Sequence, residues 1–161
     1  MKRTQEEYIH FVSCMKNLNN ALNIFRELKT PKKLPPVIFN ASFQYAIVEY
    51  AKPYKVSKGI TLNSRNKPEH NLDEKHIPLD LLTLHKRLID ARDQIHAHTD
   101  LTLLEAKIYI QDTFYGKSVV ISQNYIHETQ EFSNIDEIIV LIEKTLDNMI
   151  EEEKKLKEQL T

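Results

Sequence analysis

The sequence predicts an all-α protein, an antiparallel four-helix bundle with a small β-hairpin inserted before the last helix. Two observations lead to this prediction. Four segments repeat apolar residues every three or four positions, which is the period of a helix with one buried face. One segment before the fourth helix instead carries two short β-prone runs joined by a tight turn. Four helices with one apolar stripe each can bury those stripes around a shared core.

The first helix is predicted to begin near Thr4, which forms a Thr-x-x-Glu capping box with Glu7. Its apolar stripe consists of Tyr8, Phe11, Met15, Leu18, Leu22 and Phe25. Prolines between Lys29 and Pro36 end the helix. Because this stripe is long and narrow, it would also suit the seam of a helix–helix dimer.

Pro35 and Pro36 suit the first turn of a second helix, which we expect to stop near Lys52, before Pro53. Its buried side is formed by Phe39, Phe43, Ala46, Ile47 and Tyr50. The next segment, Lys55 to His76, is polar and has little apolar periodicity. The sequence therefore predicts a long, mobile loop there.

The third helix is predicted to open at Pro78 and to run to about His98, with an apolar stripe of Leu81, Leu84, Leu88, Ala91 and Ile95. Segments 106–111 and 118–122 are predicted to be strands, joined by a turn at 115–117. The last helix takes its stripe from Ile139, Ile142, Leu146, Met149 and Leu156. We expect its charged tail, from Glu151 onwards, to be solvated.

Composition excludes several classes of protein. A chain of 161 residues predicts one domain, 1–161. The net charge of -1 provides no general attraction to polyanions, so nucleic acid would have to bind a local patch. Cys14 is the single cysteine, which excludes an intramolecular disulfide and a cysteine zinc cluster. With no signal peptide and no apolar run of membrane-spanning length, the expected location is the cytoplasm, without a membrane partner.

The end of the third helix concentrates reactive groups in the run Arg-Asp-Gln-Ile-His-Ala-His-Thr-Asp, residues 92–100. At about 100° per residue, Arg92, His96 and His98 share one arc of roughly 160°. Asp93 lies close to His96. An arginine can hold two phosphate oxygens, and a histidine can exchange a proton near neutral pH. These four residues are therefore the candidate catalytic groups.

This run resembles the signature of the HEPN superfamily, the higher-eukaryote and prokaryote nucleotide-binding domains. In that family an arginine precedes a polar residue, and a histidine follows the arginine after four to six intervening residues. Here five residues separate Arg92 from His98, and Asp93 is the polar follower. The ending Ala-His-Thr-Asp, 97–100, looks most like the abortive-infection branch of the family.

The resemblance implies a metal-independent endoribonuclease of toxin or phage-defence type, with its site built across a homodimer interface. Arg92 would clamp phosphate and His98 would act as acid or base. His96 would be a second proton carrier, and Asp93 would orient Arg92 or a histidine. RNA is the implied substrate and an antitoxin or defence protein the implied partner, with no cofactor and no metal.

A second candidate region lies at the end of the second helix. Tyr50, Lys52, Tyr54 and Lys55 interleave aromatic rings with cations. Rings stack on bases and lysines hold phosphates, which suits single-stranded RNA. The alternative is an exposed helix end whose lysines extend into solvent.

Three alternatives stay open at this point. The same bundle could be a non-catalytic dimeric binding or adaptor protein. Arg92 and Asp93 could form a weak surface ion pair, and His98 could complement the helix dipole without any catalysis. A His96–His98 metal site is disfavoured, because helical residues two apart point about 200° away from each other.

Overall fold

The computed structural model describes residues 3–31, 33–58, 69–96, 107–122 and 131–160. Within these ranges the chain is mostly helical, with four α-helices and two small antiparallel hairpins, so the predicted helical class is confirmed. The helices are α1 (Arg3–Leu28), α2 (Pro36–Ala51), α3 (Leu82–His96) and α4 (Ile135–Glu158). The strands are β1 (Ser57–Lys58), β2 (Glu69–His70), β3 (Lys107–Thr113) and β4 (Gly116–Ser122). None of the helices in these ranges has the length and apolar character needed to cross a membrane.

The core forms where α1 packs against α2 and α4, while α3 packs against α2. The predicted apolar stripe of α1 is largely buried here, with Phe11, Leu18, Leu22 and Phe25 in the core. This burial argues against the expectation that the stripe forms a dimer seam, because the chain covers it with its own helices. On α4 the buried face includes Ile138, Leu141 and Thr145, so it is rotated slightly from the predicted stripe.

Aromatic rings attach the start of α4 to α2. A short 3-10 turn, Glu131–Asn134, precedes α4 and carries Phe132. The Phe132 ring packs edge-on against Phe43, with 4.5 Å between the ring centroids. Phe43 in turn contacts Phe25 of α1 at 5.5 Å. Because these rings bring three helices together at one point, they orient the start of α4 against α1 and α2.

Helix ends follow the prolines. α2 begins at Pro36 and ends at Ala51, as predicted, and a 3-10 turn, Lys52–Tyr54, follows it. The third helix begins at Leu82 and not at Pro78 as predicted, because a further 3-10 turn, Leu79–Leu81, follows this proline and leads directly into α3. The predicted continuation of α3 to His98 falls on residues 97–100, which lie outside the described residues.

The prediction of an unpacked loop over 55–76 is wrong for residues 69–76, which form a short strand and a 3-10 turn and pack on the core. β2 pairs with β1 through Ser57–His70 and Lys58–Glu69, and Leu72 is buried in the core. The Leu72 N–H donates to the carbonyl of Pro53 at 2.7 Å. A single anchoring side chain has no periodicity, so the sequence pattern did not reveal this packing. Residues 59–68 lie outside the described residues.

The predicted hairpin before the last helix is confirmed. β3 and β4 pair from Lys107–Ser122 to Thr113–Gly116, around a turn at Phe114 and Tyr115. Gly116 has a φ of 116°, a backbone conformation that glycine adopts without a steric penalty. Contacts between the described part of this hairpin and the helices are sparse.

Candidate functional site

A carboxylate between two cations lies at the end of α3. Lys55 Nζ donates to Asp93 Oδ2 at 2.7 Å, and Arg92 Nη1 donates to Asp93 Oδ1 at 2.9 Å. Lys55 and Asp93 are 38 positions apart in the chain. The structure therefore joins two candidate regions that are far apart in the sequence. We call Lys55, Arg92 and Asp93 the cationic cluster.

Local backbone structure positions Lys55 beside α3. α2 packs on α3, and the 3-10 turn after α2 redirects the chain, with the Lys55 N–H donating to the Lys52 carbonyl at 3.2 Å. The hydrogen bond from Leu72 to Pro53 holds the same turn from the other side. Arg92 and Asp93 lie on the last two turns of the regular helix α3. Two packed helices thus bring both parts of the cationic cluster together.

Asp93 is held in its ionised form. Burial of the carboxylate raises its pKa, but the hydrogen bonds and charges of Lys55 and Arg92 outweigh that effect and leave the pKa below its ordinary value. The side chains are partly exposed, at 34% for Lys55, 29% for Arg92 and 41% for Asp93. The cationic cluster carries one net positive charge, since two cations surround one carboxylate.

Arg92 keeps an unpaired donor. Its Nε is buried and has no hydrogen-bond partner among the described residues. A buried donor without a partner costs about 1–3 kcal/mol, so such groups are uncommon in folded proteins. Functional sites are among the places where an unpaired donor is retained. Arg92 therefore combines an ion pair at one nitrogen with unsatisfied hydrogen-bonding capacity at another.

The histidines of the motif lie beyond what the structure describes. His98 belongs to residues 97–100, and the side chain of His96 is likewise outside the described part of the chain. Their predicted roles as proton carriers stay predictions. The arginine half of the Arg-x5-His pattern is therefore the part whose surroundings are known.

Tyr50 occupies the core. Its side chain is 0% exposed, which argues against the expectation that its ring stacks on RNA. Tyr54 is half-buried, and its ring packs edge-on against His85 at 4.5 Å. Lys52 pairs with Glu49 and lies over the ring of Tyr45. Of the four residues predicted to bind RNA, Lys55 is the one that belongs to the cationic cluster, through its hydrogen bond to Asp93.

A chain of three polar groups, which the sequence pattern did not predict, connects α2, α3 and the 3-10 turn Glu74–His76, and two of them, Tyr50 and His85, are buried. The Tyr50 hydroxyl and His85 Nδ1 share a hydrogen bond of 2.7 Å, and His85 Nε2 lies 3.7 Å from Glu74 Oε1. Burial lowers the pKa of His85, even though Glu74 raises it. The available signal was the spacing, because His85 precedes Arg92 by two turns on the same side of the helix. A cavity of about 500 Å³ beside this chain is lined by Tyr54, Asn71, Leu72, Asp73 and Glu74.

A group of histidines lies where segment 70–76 meets α1 and α4. The rings of His10 and His70 are 5.2 Å apart, and His70 Nε2 lies 3.5 Å from Glu6 Oε1. His76 Nε2 lies 3.3 Å from Glu152 Oε2. Across the described ranges, no group of three or more His, Cys, Asp or Glu side chains is arranged to hold a metal ion. This cluster is therefore not assigned as a metal centre.

Comparison with protein-family profiles, with curated proteins and with solved structures finds no match to this chain. The resemblance to the HEPN superfamily therefore depends on the motif at 92–100 and on the helical class.

Proposed function

We propose that this protein is a metal-independent endoribonuclease of HEPN type, of the toxin or phage-defence kind, and that its active site lies at the end of α3. The observation that carries the proposal is the cationic cluster. Two cations, Arg92 and Lys55, are held by one carboxylate at the end of the helix that carries Arg92, the first residue of the Arg-x5-His pattern. A phosphodiester is the ligand that such a pair of cations favours.

The proposed reaction uses the substrate's own 2′-hydroxyl. Its oxygen attacks the adjacent phosphorus while the bond from phosphorus to the 5′-oxygen breaks, which yields a 2′,3′-cyclic phosphate and a free 5′-hydroxyl. His98 removes the proton from the 2′-hydroxyl or donates one to the leaving 5′-oxygen, and His96 performs the opposite transfer. Arg92 and Lys55 offset the charge that develops on the non-bridging phosphate oxygens.

Asp93 orients the two cations in this proposal. Its two oxygens each accept one hydrogen bond, so both cations are held before the substrate arrives. Prior orientation avoids reorganisation during the reaction, which is where electrostatic catalysis gains most. A single chain offers few proton carriers, so the proposal includes a homodimer with a site shared between copies and an antitoxin or defence protein as partner.

A second candidate function is a non-catalytic phosphate-binding or adaptor protein on the same fold. The observation that favours it is the ion pairing itself. Asp93 balances one of the two charges and ties the turn after α2 to α3, as a structural contact would. In this case the cationic cluster would bind RNA or another phosphate ligand without cleaving it.

The test is cleavage of a single-stranded RNA by the purified protein, with and without a chelator. We expect cleavage that the chelator leaves unchanged, and a loss of about 10²- to 10³-fold in rate for Arg92→Ala and 10²- to 10⁴-fold for His98→Ala. Lys86→Ala is the matched control, because Lys86 is an exposed lysine on the same helix. RNA binding without cleavage would support the second candidate. Cleavage that stops on chelation would contradict the metal-independent mechanism.

A further inference from the structure

The β3–β4 hairpin carries an unusual amount of exposed apolar surface. Within the described ranges, seven of the seventeen exposed large apolar side chains belong to this one element. Phe114 and Tyr115 at its tip are 97% and 96% exposed. The other five are between 43% and 67% exposed, namely Ile108, Tyr109, Ile110, Val119 and Val120. A concentration of this kind indicates a surface that another molecule covers.

One face of the hairpin is more apolar than the other. Because side chains alternate along a strand, Ile108 and Ile110 point to the same face of β3. Val119 is the register partner of Ile110, so it shares that face. Asp112 and Lys117 are register partners on the same face nearer the tip, and their opposite charges leave it electrically balanced. We call the side presented by Ile108, Ile110 and Val119 the apolar face.

The hairpin also lacks support within its own chain. It is a two-stranded sheet, and its contacts with the helices are sparse among the described residues. An isolated two-stranded hairpin is at best marginally stable in water, and packing on a further layer stabilises it. This element therefore gains most of its stability only when another surface covers it.

The exposed area matches what a protein interface needs. Phe114 and Tyr115 each offer about 150–250 Å². Together with Ile108, Ile110 and Val119 of the apolar face, these two rings approach the ~600 Å² that one partner contributes at the low end of specific interfaces. The tip and the apolar face together therefore provide the area of a small specific dimer interface.

We propose that the hairpin is a dimerisation arm whose apolar face packs against the same face of a second copy of this chain. A two-fold dimer brings identical patches together, so one apolar face is sufficient to build the interface. Because Asp112 and Lys117 balance each other, the apolar face carries no net charge that would repel a second copy of the chain. An RNA partner fits this surface less well, since residues 107–122 contain two lysines and one aspartate among mostly apolar and aromatic side chains.

The ribonuclease proposal includes a homodimer but assigns no surface to it, and this inference identifies that surface from the exposed side chains of the hairpin. It also replaces the α1 stripe, which lies in the core, as the surface that would join two copies. Because molecular mass reports the dimer and RNA cleavage reports the activity, the two proposals can fail separately.

The test is sedimentation of the full chain at tens of micromolar. We expect a dimer for the wild type and, for the double variant Ile110→Thr/Val119→Thr, a dissociation constant raised by roughly 100-fold or more. Two-fold symmetry removes four apolar side chains from the interface, so a loss of about threefold in affinity for each one multiplies to roughly 100-fold. Threonine keeps the preference for strand, so the hairpin itself is retained.

The matched control is Val37→Thr/Leu79→Thr, which removes two exposed apolar side chains outside the hairpin and should leave the dimer intact. Hydrogen exchange over 107–122 gives an independent readout, and protection there should rise with protein concentration. A monomeric wild type, or a dimer that the hairpin variant leaves unchanged, overturns the inference. If the wild type is a monomer and the hairpin variant loses binding to RNA or to lipid vesicles, the dimer inference is also overturned. The surface is then assigned to that ligand.

Discussion

Replacing Tyr50 with phenylalanine should destabilise the fold while leaving any RNA cleavage intact. The substitution removes one hydroxyl, which lies 2.7 Å from Nδ1 of His85. Both side chains are buried, at 0% and 1% exposed. Burial lowers the pKa of His85 and thus favours the neutral ring, with Nε2–H facing Glu74. Nδ1 is then the acceptor, and Tyr50→Phe leaves it without a donor.

The expected loss of stability follows from the burial of this hydrogen bond. A buried polar group that loses its hydrogen-bond partner costs about 1–3 kcal/mol in free energy of unfolding. For a chain of this size each kcal/mol corresponds to about 2–4 °C in melting temperature. We therefore expect Tyr50→Phe to lower the melting temperature by roughly 2–12 °C. The ring itself stays in the core, so no cavity is added to this loss.

The assay is thermal and urea unfolding followed by circular dichroism, beside the RNA-cleavage assay. Thr83→Val is the control, because it removes a hydroxyl from an exposed side chain on α3 and should change stability by less than about 0.5 kcal/mol. If Tyr50→Phe unfolds like the wild type, the assigned hydrogen bond does not stabilise the fold. If it folds normally but no longer binds RNA, Tyr50 belongs to the RNA interface and its assignment to the core alone is wrong.

Three further predictions concern the titratable groups. A double-mutant cycle of Lys55→Met and Asp93→Asn should give a coupling free energy of about 0.2–1 kcal/mol at pH 7, because the pair is partly exposed. The coupling should decline below about pH 4 as Asp93 is protonated, and a cycle without coupling at pH 7 would contradict the assigned ion pair. Because His85 has a lowered pKa in the folded state, its contribution to stability should be complete above the unfolded value of about 6.5 and decrease as the pH falls below it. Melting temperatures from pH 8 to 5 test this, and His85→Gln should flatten the profile; an equal slope in that variant would exclude His85 as the cause. Burial raises the pKa of Cys14 to about 11, so a thiol reagent at pH 8 should label the unfolded chain and spare the folded one, and rapid labelling of the folded protein would show that Cys14 is accessible.

Much of the local structure was predictable because each element has its own periodicity. Apolar spacing predicted the helices α1 to α4, and the prolines predicted where α2 begins and ends. The hairpin followed from its β-prone runs and the glycine at the turn. The segment 69–76 was predicted incorrectly, because Leu72 is a single anchor in a polar stretch. Periodic patterns reveal faces that repeat, and they do not reveal isolated contacts.

The candidate site also has a part that the sequence predicted and a part that only the tertiary structure determined. The sequence by itself determined that Arg92 and Asp93 lie on a regular helix, and it identified Lys55 as a candidate phosphate ligand. Only the tertiary structure decided that Lys55 reaches Asp93 across 38 positions, because helix packing determines which chain ends meet. The structure also decided that Tyr50 is a core residue bonded to His85. Helical spacing shows that two side chains share a face, but the neighbouring helix decides whether that face is buried or exposed to solvent.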